Sequence, residues 1–147
     1  MVEKIVAAGQ YHAAYACIRQ LSFGLLDMAW HTIEAPVADA LAFEQAAVQP
    51  TQVLPSVEGT ALSPQFGHIF SGGYAAGYYG YKWAEVLDAD AFAAFKEVGI
   101  FNQEKARSFR ENILERGGTE RPMELYKRFR GSEPTIEALM RRDGIIK

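Results

Sequence analysis

Apolar residues recur at helical spacing along most of the chain. The clearest example is a stripe with steps of three and four residues, made of Ala14, Ile18, Leu21, Leu25 and Met28. Such spacing places one apolar stripe on a helix of about twenty residues. The helix is predicted to end at Ala35 and Pro36, because the residue before a proline is pushed out of the α region. A shorter helix is predicted over residues 37–47.

Residues 48–70 interrupt this pattern. Prolines and glycines punctuate the stretch, with Ser and Thr between them, at Pro50, Pro55, Gly59, Pro64 and Gly67. This composition predicts a long loop. Loops of some twenty residues are uncommon inside compact domains and are often functional.

Helical spacing returns after a glycine-rich stretch. One predicted helix face consists of Tyr79, Trp83, Val86, Leu87, Ala91, Phe92, Phe95 and Val98, with Gly99 as a candidate C-cap. Shorter helices are predicted from Phe109 and Ile113, from Leu125, Tyr126 and Phe129, and from Ile136, Leu139 and Met140. Pro122 and Pro134 suit first-turn positions. No strand pattern or repeat occurs, so the sequence predicts an all-α, multi-helix fold with one long Pro/Gly-containing loop in a single helical domain, residues 1–147.

Composition and charge narrow the class of protein. The 147 residues are 49% apolar and 22% charged, which is typical of a globular domain and excludes a disordered or low-complexity chain. Residues 1–95 hold three Lys/Arg against nine Asp/Glu, and residues 96–147 hold 12 against nine. This weak basic surplus does not predict nucleic-acid binding, and the short apolar runs do not predict a membrane span. A single cysteine and no secretory signal at the start predict a cytoplasmic protein.

The usual zinc-ligand patterns are missing from this chain. Its histidines, His12, His31 and His68, form no H-E-x-x-H motif or other pair at ligand spacing, so no metal site is expected from these residues alone. Asp27 and His31 stand four residues apart on the first long helix, which favours a hydrogen bond over a shared metal. Cys17 lies among apolar helical neighbours and is predicted to be a packed thiol.

Residues 67–83 combine five glycines with four tyrosines. Glycine lets the backbone pass close to a ligand, and a tyrosine hydroxyl can donate a hydrogen bond to a developing oxyanion. If a helix starts by Tyr74, then Tyr74, Tyr78 and Tyr81 share one face that would line a cleft, and Tyr79 falls on the packed face with Trp83. The alternative is an aromatic core stripe, with Gly72 and Gly73 forming only a turn.

This stretch resembles the substrate-binding loop of the thimet-oligopeptidase family of zinc metallopeptidases, which includes oligopeptidase A and peptidyl-dipeptidase. The resemblance rests first on the run Phe66-Gly67-His68-Ile69-Phe70-Ser71-Gly72-Gly73-Tyr74-Ala75-Ala76-Gly77-Tyr78-Tyr79-Gly80-Tyr81-Lys82-Trp83. Further segments resemble the family downstream, at Ala89-Asp90-Ala91-Phe92, Gly99-Ile100-Phe101-Asn102, Phe109-Arg110-Glu111-Asn112-Ile113-Leu114, Pro122-Met123-Glu124-Leu125 and Phe129-Arg130-Gly131-Ser132-Glu133-Pro134. Segments upstream of the loop also resemble the family, at Arg19-Gln20-Leu21, Asp27 and Pro50-Thr51-Gln52. The resemblance therefore covers essentially the whole chain.

The resemblance implies the C-terminal part of a cytoplasmic enzyme that cleaves short peptides. In the family the H-E-x-x-H helix and the glutamate ligand precede the segments found here, so zinc is implied for the intact enzyme and not for this chain, which is expected to be inactive alone. The resemblance implies that Tyr81, Tyr74 and His68 are the catalytic hydrogen-bond donors. It implies that Gly72, Gly73 and Tyr78 bind the substrate. The implied partners are short peptides and the N-terminal part of the same polypeptide, with self-association of the isolated piece through an exposed apolar face.

Two other functions compete with this hypothesis. A free-standing helical module could use the Gly/Tyr loop to bind a peptide without hydrolysing it. A purely structural helical domain is disfavoured, because glycines inside helices cost roughly 1 kcal/mol each relative to alanine. The resemblance does not distinguish an endo-oligopeptidase from a dipeptidyl carboxypeptidase.

Overall fold

The computed structural model describes all of residues 1–147 and is built from helices without any strand. Eight α-helices follow in chain order: α1 (Val2–Gln10), α2 (Ala13–His31), α3 (Ala40–Val48), α4 (Gly67–Phe70), α5 (Gly80–Val98), α6 (Gln103–Phe109), α7 (Pro122–Arg130) and α8 (Glu137–Arg142). Two short 3₁₀-helices, Gln49–Thr51 and Ser63–Gln65, and a π-helix, Arg110–Leu114, complete the set. The all-α prediction is confirmed.

The chain forms two compact units, Met1–Trp83 (unit 1) and Ala84–Lys147 (unit 2), with the boundary inside α5. The sequence predicts one helical domain over residues 1–147, and this stays a prediction. No helix is both long enough and apolar enough to cross a membrane.

The core of unit 1 forms around the middle of α2. Leu26 on α2 is buried with Phe66 and Ile69, and partly buried rings pack around these three residues. The predicted stripe of α2 lies elsewhere: Leu21, Leu25 and Met28 are exposed. An apolar stripe at helical spacing normally marks the core face. In α2 a second apolar face, containing Leu26, is the one that packs.

Capping residues set the helix ends differently from the predicted ones. α2 ends at His31 and not at Ala35, with Thr32 Oγ1 donating to the Met28 carbonyl at 2.8 Å. α3 begins at Ala40 and not at residue 37, because the Asp39 carboxylate accepts the backbone N–H groups of Leu41 and Ala42 at 3.0 Å each.

The region predicted as one long loop also contains three short helices. The Glu44 carboxylate on α3 accepts N–H groups at the start of Ser63–Gln65, from Leu62 at 2.8 Å and from Ser63 at 2.6 Å. Burial raises the pKa of Glu44, but the hydrogen bonds from Leu62 and Ser63 outweigh burial and leave the pKa lowered. A charged side chain 18 residues away in sequence therefore organises this segment.

Unit 2 has its own core, in which aromatic rings of three helices meet. Val86, Ala89 and Leu139 form one buried cluster. Phe129 lies with its ring centroid 5.9 Å from Phe95 and 5.1 Å from Phe109.

The ends of the last two helices test the proline predictions. α7 begins at Pro122, as predicted, and ends at Arg130. The next residue, Gly131, has a φ of 92°, the left-handed conformation typical of a helix C-terminus. α8 begins at Glu137, so Pro134 precedes this helix and does not lie in its first turn.

Candidate functional site

The Gly/Tyr stretch folds as a turn and not as the start of a helix. α5 begins at Gly80, so the condition for a shared helix face, a helix that starts by Tyr74, is not met. Instead, the N–H of Gly77 donates to the Tyr74 carbonyl at 2.8 Å, and the N–H of Gly80 donates to the Gly77 carbonyl at 3.0 Å. Ala76 has a φ of +52°, a left-handed conformation that interrupts any helix over residues 74–79.

Two glycines allow the chain to pass close to α4 on entering this turn. A Cβ on Gly72 would lie 2.8 Å from the Cα of His68 and 2.9 Å from its carbonyl oxygen, which no side chain can do without a backbone shift. Gly73 has a φ of +82° with open space around it. Both residues are thus needed for local geometry, and their predicted contact with substrate stays a prediction.

The turn brings together four ring side chains that the sequence predicts as site residues: His68, Tyr74, Tyr78 and Tyr81, here called the tyrosine cluster. Tyr74 and Tyr81 stack with ring centroids 5.1 Å apart, and Tyr78 lies 5.0 Å from Tyr81. His68 lies 6.0 Å from Tyr74 and 6.2 Å from Tyr78. The predicted grouping of the three tyrosines therefore exists, although a turn and not a helix face creates it.

The hydroxyl of Tyr81 is held in its protonated form. Its hydrogen bond with Tyr74, followed by burial and by the neighbouring hydroxyls of Tyr74 and Tyr78, raises the pKa of Tyr81 to about 12. A phenol with this pKa stays neutral far above pH 7 and can donate a hydrogen bond. The side chains of Tyr74, Tyr81 and His68 are exposed, so the donors are accessible from solvent.

Asp27 anchors the turn from within α2. Its side chain is 0% exposed. One carboxylate oxygen accepts the N–H of Ala76 at 2.9 Å, and the other accepts the N–H of Tyr78 at 2.8 Å. The sequence points only to the pair with His31. It does not reveal these two contacts, although an acidic residue among the apolar residues of a helix is itself a signal of a buried polar role.

The predicted hydrogen bond between Asp27 and His31 is present. His31 Nδ1 lies 2.8 Å from the backbone carbonyl oxygen of Asp27 and 2.8 Å from a carboxylate oxygen of the same residue. Both partners are acceptors, so Nδ1 carries the ring proton and donates it.

Tyr79 does not lie on a packed face, and that prediction is wrong. Its side chain is 61% exposed, and Trp83 is exposed as well. The backbone of Tyr79 instead passes α2, where an added Cβ on Gly24 would lie 3.6 Å from the Tyr79 Cα. Because the chain turns between residues 74 and 79, helical spacing does not apply to Tyr79.

The residues of this chain do not fit a zinc site. No group of three or more His, Cys, Asp or Glu side chains comes together in the structure. His12 precedes α2, His31 ends it, and His68 lies on α4. Cys17 is partly buried on α2.

A cavity of about 410 Å³ lies in unit 1 away from the tyrosine cluster, between α2, α3 and the segment that follows them. Its two charged side chains already have partners. The Glu44 carboxylate accepts the N–H groups of Leu62 and Ser63, and the Arg19 guanidinium lies 4.8 Å from the centre of the Phe23 ring. We place the candidate site at the tyrosine cluster, because accessible hydroxyl donors meet there.

The chain is similar to known proteins over nearly its whole length. A family model described as "Peptidase family M3" matches residues 1–145. Oligopeptidase A of Escherichia coli K12 is 48% identical over 147 residues, which cover 99% of this chain and 22% of that protein. "Probable cytosolic oligopeptidase A" of Arabidopsis thaliana is 41% identical over 150 residues, covering 98% and 21%. "Dipeptidyl carboxypeptidase" of Salmonella typhimurium is 38% identical over 146 residues, covering 97% and 22%.

The chain thus spans about a fifth of the length of the curated relatives that it matches. Its similarity is higher to these two oligopeptidases A than to the dipeptidyl carboxypeptidase.

Proposed function

Because this chain belongs to peptidase family M3, we propose that it is the C-terminal part of a cytoplasmic zinc oligopeptidase that hydrolyses short peptides. Within that enzyme it contributes the substrate-binding Gly/Tyr loop and the hydroxyl and imidazole donors. The higher identity to oligopeptidase A favours an endo-oligopeptidase over a dipeptidyl carboxypeptidase. The chain's own residues do not fit a zinc site, so its role in the reaction is confined to binding and to donation of hydrogen bonds.

The tyrosine cluster is the observation that carries this proposal. Tyr81 and Tyr74 are stacked, exposed and hydrogen-bonded to each other, and the raised pKa of Tyr81, about 12, keeps its proton in place. When the scissile carbonyl becomes tetrahedral, negative charge develops on its oxygen. The two hydroxyls share one hydrogen bond, so one phenol proton of the pair is left to donate to this oxygen and stabilise its charge, which lowers the barrier. His68 is the second donor or a substrate contact.

Glycines and Tyr78 would bind the peptide beside these donors. Gly73 has a left-handed φ with no atom within 4 Å of an added Cβ, so the backbone here is open to an approaching ligand. Tyr78 is half-buried between Tyr74 and Tyr81 and would present its ring to the peptide. Gly72 and Gly73 together would let the loop adapt as the peptide is enclosed.

The remainder of the polypeptide is the proposed partner of the exposed apolar face of α2. Leu21, Leu25 and Met28 are exposed at helical spacing. A contiguous apolar face of this kind marks an interaction surface. In the isolated chain, the same face would support self-association. No contact with nucleic acid or membrane is proposed.

The test is removal of a single hydroxyl in the longer polypeptide that contains this chain. Tyr81→Phe keeps the ring and its stacking, so we expect kcat for a quenched fluorescent peptide to fall by roughly 10²-fold or more, with KM little changed, as for other oxyanion donors. Tyr79→Phe is the matched control, because Tyr79 is 61% exposed and lies outside the tyrosine cluster. This control should keep its activity.

Two outcomes would contradict the proposal. Normal turnover by Tyr81→Phe would remove the catalytic role, and binding of peptide without hydrolysis by the longer polypeptide would favour the helical peptide-binding module instead. The 147-residue chain alone is expected to hydrolyse no peptide. Turnover by this chain that survives a chelator would overturn the assignment.

A further inference from the structure

We propose that Asp27 is a positioning residue, which holds the turn at residues 75–79 in the single conformation that assembles the tyrosine cluster. This inference rests on the proposed function, since it concerns the donors of that site. It adds a residue from α2, about fifty positions upstream in sequence, to the machinery of the Gly/Tyr loop.

The contacts of Asp27 fit this role and leave no oxygen unused. One carboxylate oxygen accepts from Ala76 at 2.9 Å and lies 2.8 Å from His31 Nδ1, while the other accepts from Tyr78 at 2.8 Å. Such a carboxylate can receive two backbone N–H groups at once. A neutral amide in its place would offer one oxygen, and its NH₂ group would face one of these donors.

The turn needs this help because its backbone is strained. Ala76 has a φ of +52°, a left-handed conformation that is unfavourable for an L-residue with a Cβ. The N–H that Asp27 binds belongs to this same residue. The hydrogen bond that this N–H donates to the fully buried carboxylate offsets such a cost. The conformation is therefore specified by Asp27 and not by the local preference of Ala76.

The position of the turn determines the position of the rings. Tyr78 is bound to Asp27 through its N–H, and its ring contacts Tyr74 and Tyr81 with centroids 6.3 and 5.0 Å away. The N–H of Tyr81 donates to the Tyr78 carbonyl at 3.2 Å. Release of the turn would thus move Tyr78 directly and Tyr81 through this bond.

The experiment is residue-resolved amide hydrogen exchange on the full 147-residue chain, comparing Asp27→Asn with the parent. We expect exchange at the amides of Ala76 and Tyr78 to accelerate by about tenfold or more, since each loses a bond to a charged acceptor. Amides in the middle of α2 should keep their rates. The mutual ring-current shifts of the stacked Tyr74 and Tyr81 rings should also diminish, a change that a loss of stability alone would not cause.

Asp90→Asn is the matched control, because Asp90 is the other buried aspartate and its donors are side chains of α7. This variant should leave exchange at Ala76 and Tyr78, and the ring-current shifts, unchanged. Equal effects of the two variants at these amides would overturn the proposal. The proposal would also be overturned if Asp27→Asn left the amide exchange rates and the ring-current shifts as they are in the parent.

Amide exchange in the parent chain tests the role of Asp27 even if Asp27→Asn does not fold. The amides of Ala76 and Tyr78 should exchange more slowly than the flanking amides of Ala75 and Tyr79, and equal rates would overturn the proposal. None of these measurements involves hydrolysis. A fully active Tyr81→Phe enzyme would therefore defeat the proposed function without affecting this result.

Discussion

The two units of the molecule each contain one buried aspartate, and the two side chains are used differently. In unit 1, Asp27 is 0% exposed and accepts backbone N–H groups from a turn. In unit 2, Asp90 is 5% exposed and accepts the Tyr126 hydroxyl at 2.6 Å and Arg130 Nε at 3.3 Å. The first aspartate thus binds main chain, and the second binds side chains of a neighbouring helix.

This difference gives the two aspartates different roles: Asp27 positions a loop, and Asp90 joins two helices. A carboxylate that receives backbone N–H groups fixes the dihedral angles of the donating segment, which is what a loop with oriented side chains requires. A carboxylate that receives side chains joins two elements that are already regular, here α5 and α7. Arg130 extends that link by a paired contact with Glu97, at 3.1 and 2.7 Å. We therefore expect changes at Asp90 to act on stability and changes around the turn to act on the site.

The largest effect is expected at Asp90. Asp90→Ala leaves a buried Tyr126 hydroxyl without an acceptor and removes one partner of Arg130, so we expect the free energy of unfolding to fall by about 3–5 kcal/mol. Urea unfolding followed by far-UV circular dichroism measures this. Asp88→Ala is the control on the same helix, because its ion pair with Arg142, at 2.6 Å, is made by an Asp88 side chain that is 69% exposed. The control should cost at most about 1 kcal/mol, and equal losses would contradict the scaffolding role.

An intermediate effect is expected at the two glycines that precede the turn. In Gly72→Ala the new Cβ would meet the backbone of His68 at 2.8 Å, so the backbone must shift at a cost of about 1–3 kcal/mol. Gly73→Ala has no such contact and bears only the cost of its φ of +82°, about 1–2 kcal/mol. Chemical shifts of His68 should therefore change more in Gly72→Ala than in Gly73→Ala. The reverse order would show that close approach to α4 does not constrain the turn.

The smallest effect on the free energy of unfolding is expected from Tyr126→Phe, which also changes how stability depends on alkaline pH. Burial, and then the hydrogen bond to Asp90, raises the pKa of Tyr126 above its ordinary value of 10.0. The folded state therefore holds this proton more tightly than the unfolded chain does. The stability that results is complete below the ordinary pKa and is lost as the pH rises above it.

Tyr126→Phe should lose about 1 kcal/mol of unfolding free energy at neutral pH and should show a shallower decline than the parent above about pH 10. Unfolding curves at a series of alkaline pH values measure the difference. Tyr81, whose pKa is also raised, contributes its own decline in unit 1, so the comparison between parent and variant isolates Tyr126. Identical slopes in the two chains would contradict the assignment.

Much of the fold could be predicted from local patterns. Helical spacing predicted the helices later found as α2, α5, α7 and α8, and Pro122 marked the start of α7. The helix predicted from Phe109 and Ile113 is divided in the structure, since α6 ends at Phe109 and Ile113 lies in the π-helix. The composition of residues 67–83, together with the family resemblance, pointed to His68, Tyr74, Tyr78 and Tyr81. These signals are local in sequence, since spacing, capping and turn residues act over a few positions.

Three features could not be predicted in this way. The face of α2 that packs is the one with Leu26 and not the one with Leu25, because a helix that is apolar on more than one side does not specify which side is covered. The start of α5 at Gly80 depends on a left-handed Ala76, a conformation that alanine does not prefer by itself. The role of Asp27 depends on amides 49 and 51 positions away.

The sequence by itself determined the all-α class and most of the helices, because propensity and periodicity are properties of short segments, and its family resemblance indicated the side chains of the candidate site. Only the tertiary structure decided how those side chains meet. The tyrosine cluster exists because a buried carboxylate on α2 binds the N–H groups of Ala76 and Tyr78, and the turn so formed stacks Tyr74 on Tyr81. A hydrogen bond between segments fifty residues apart is formed only when packing excludes water from the carboxylate and brings its donors within reach.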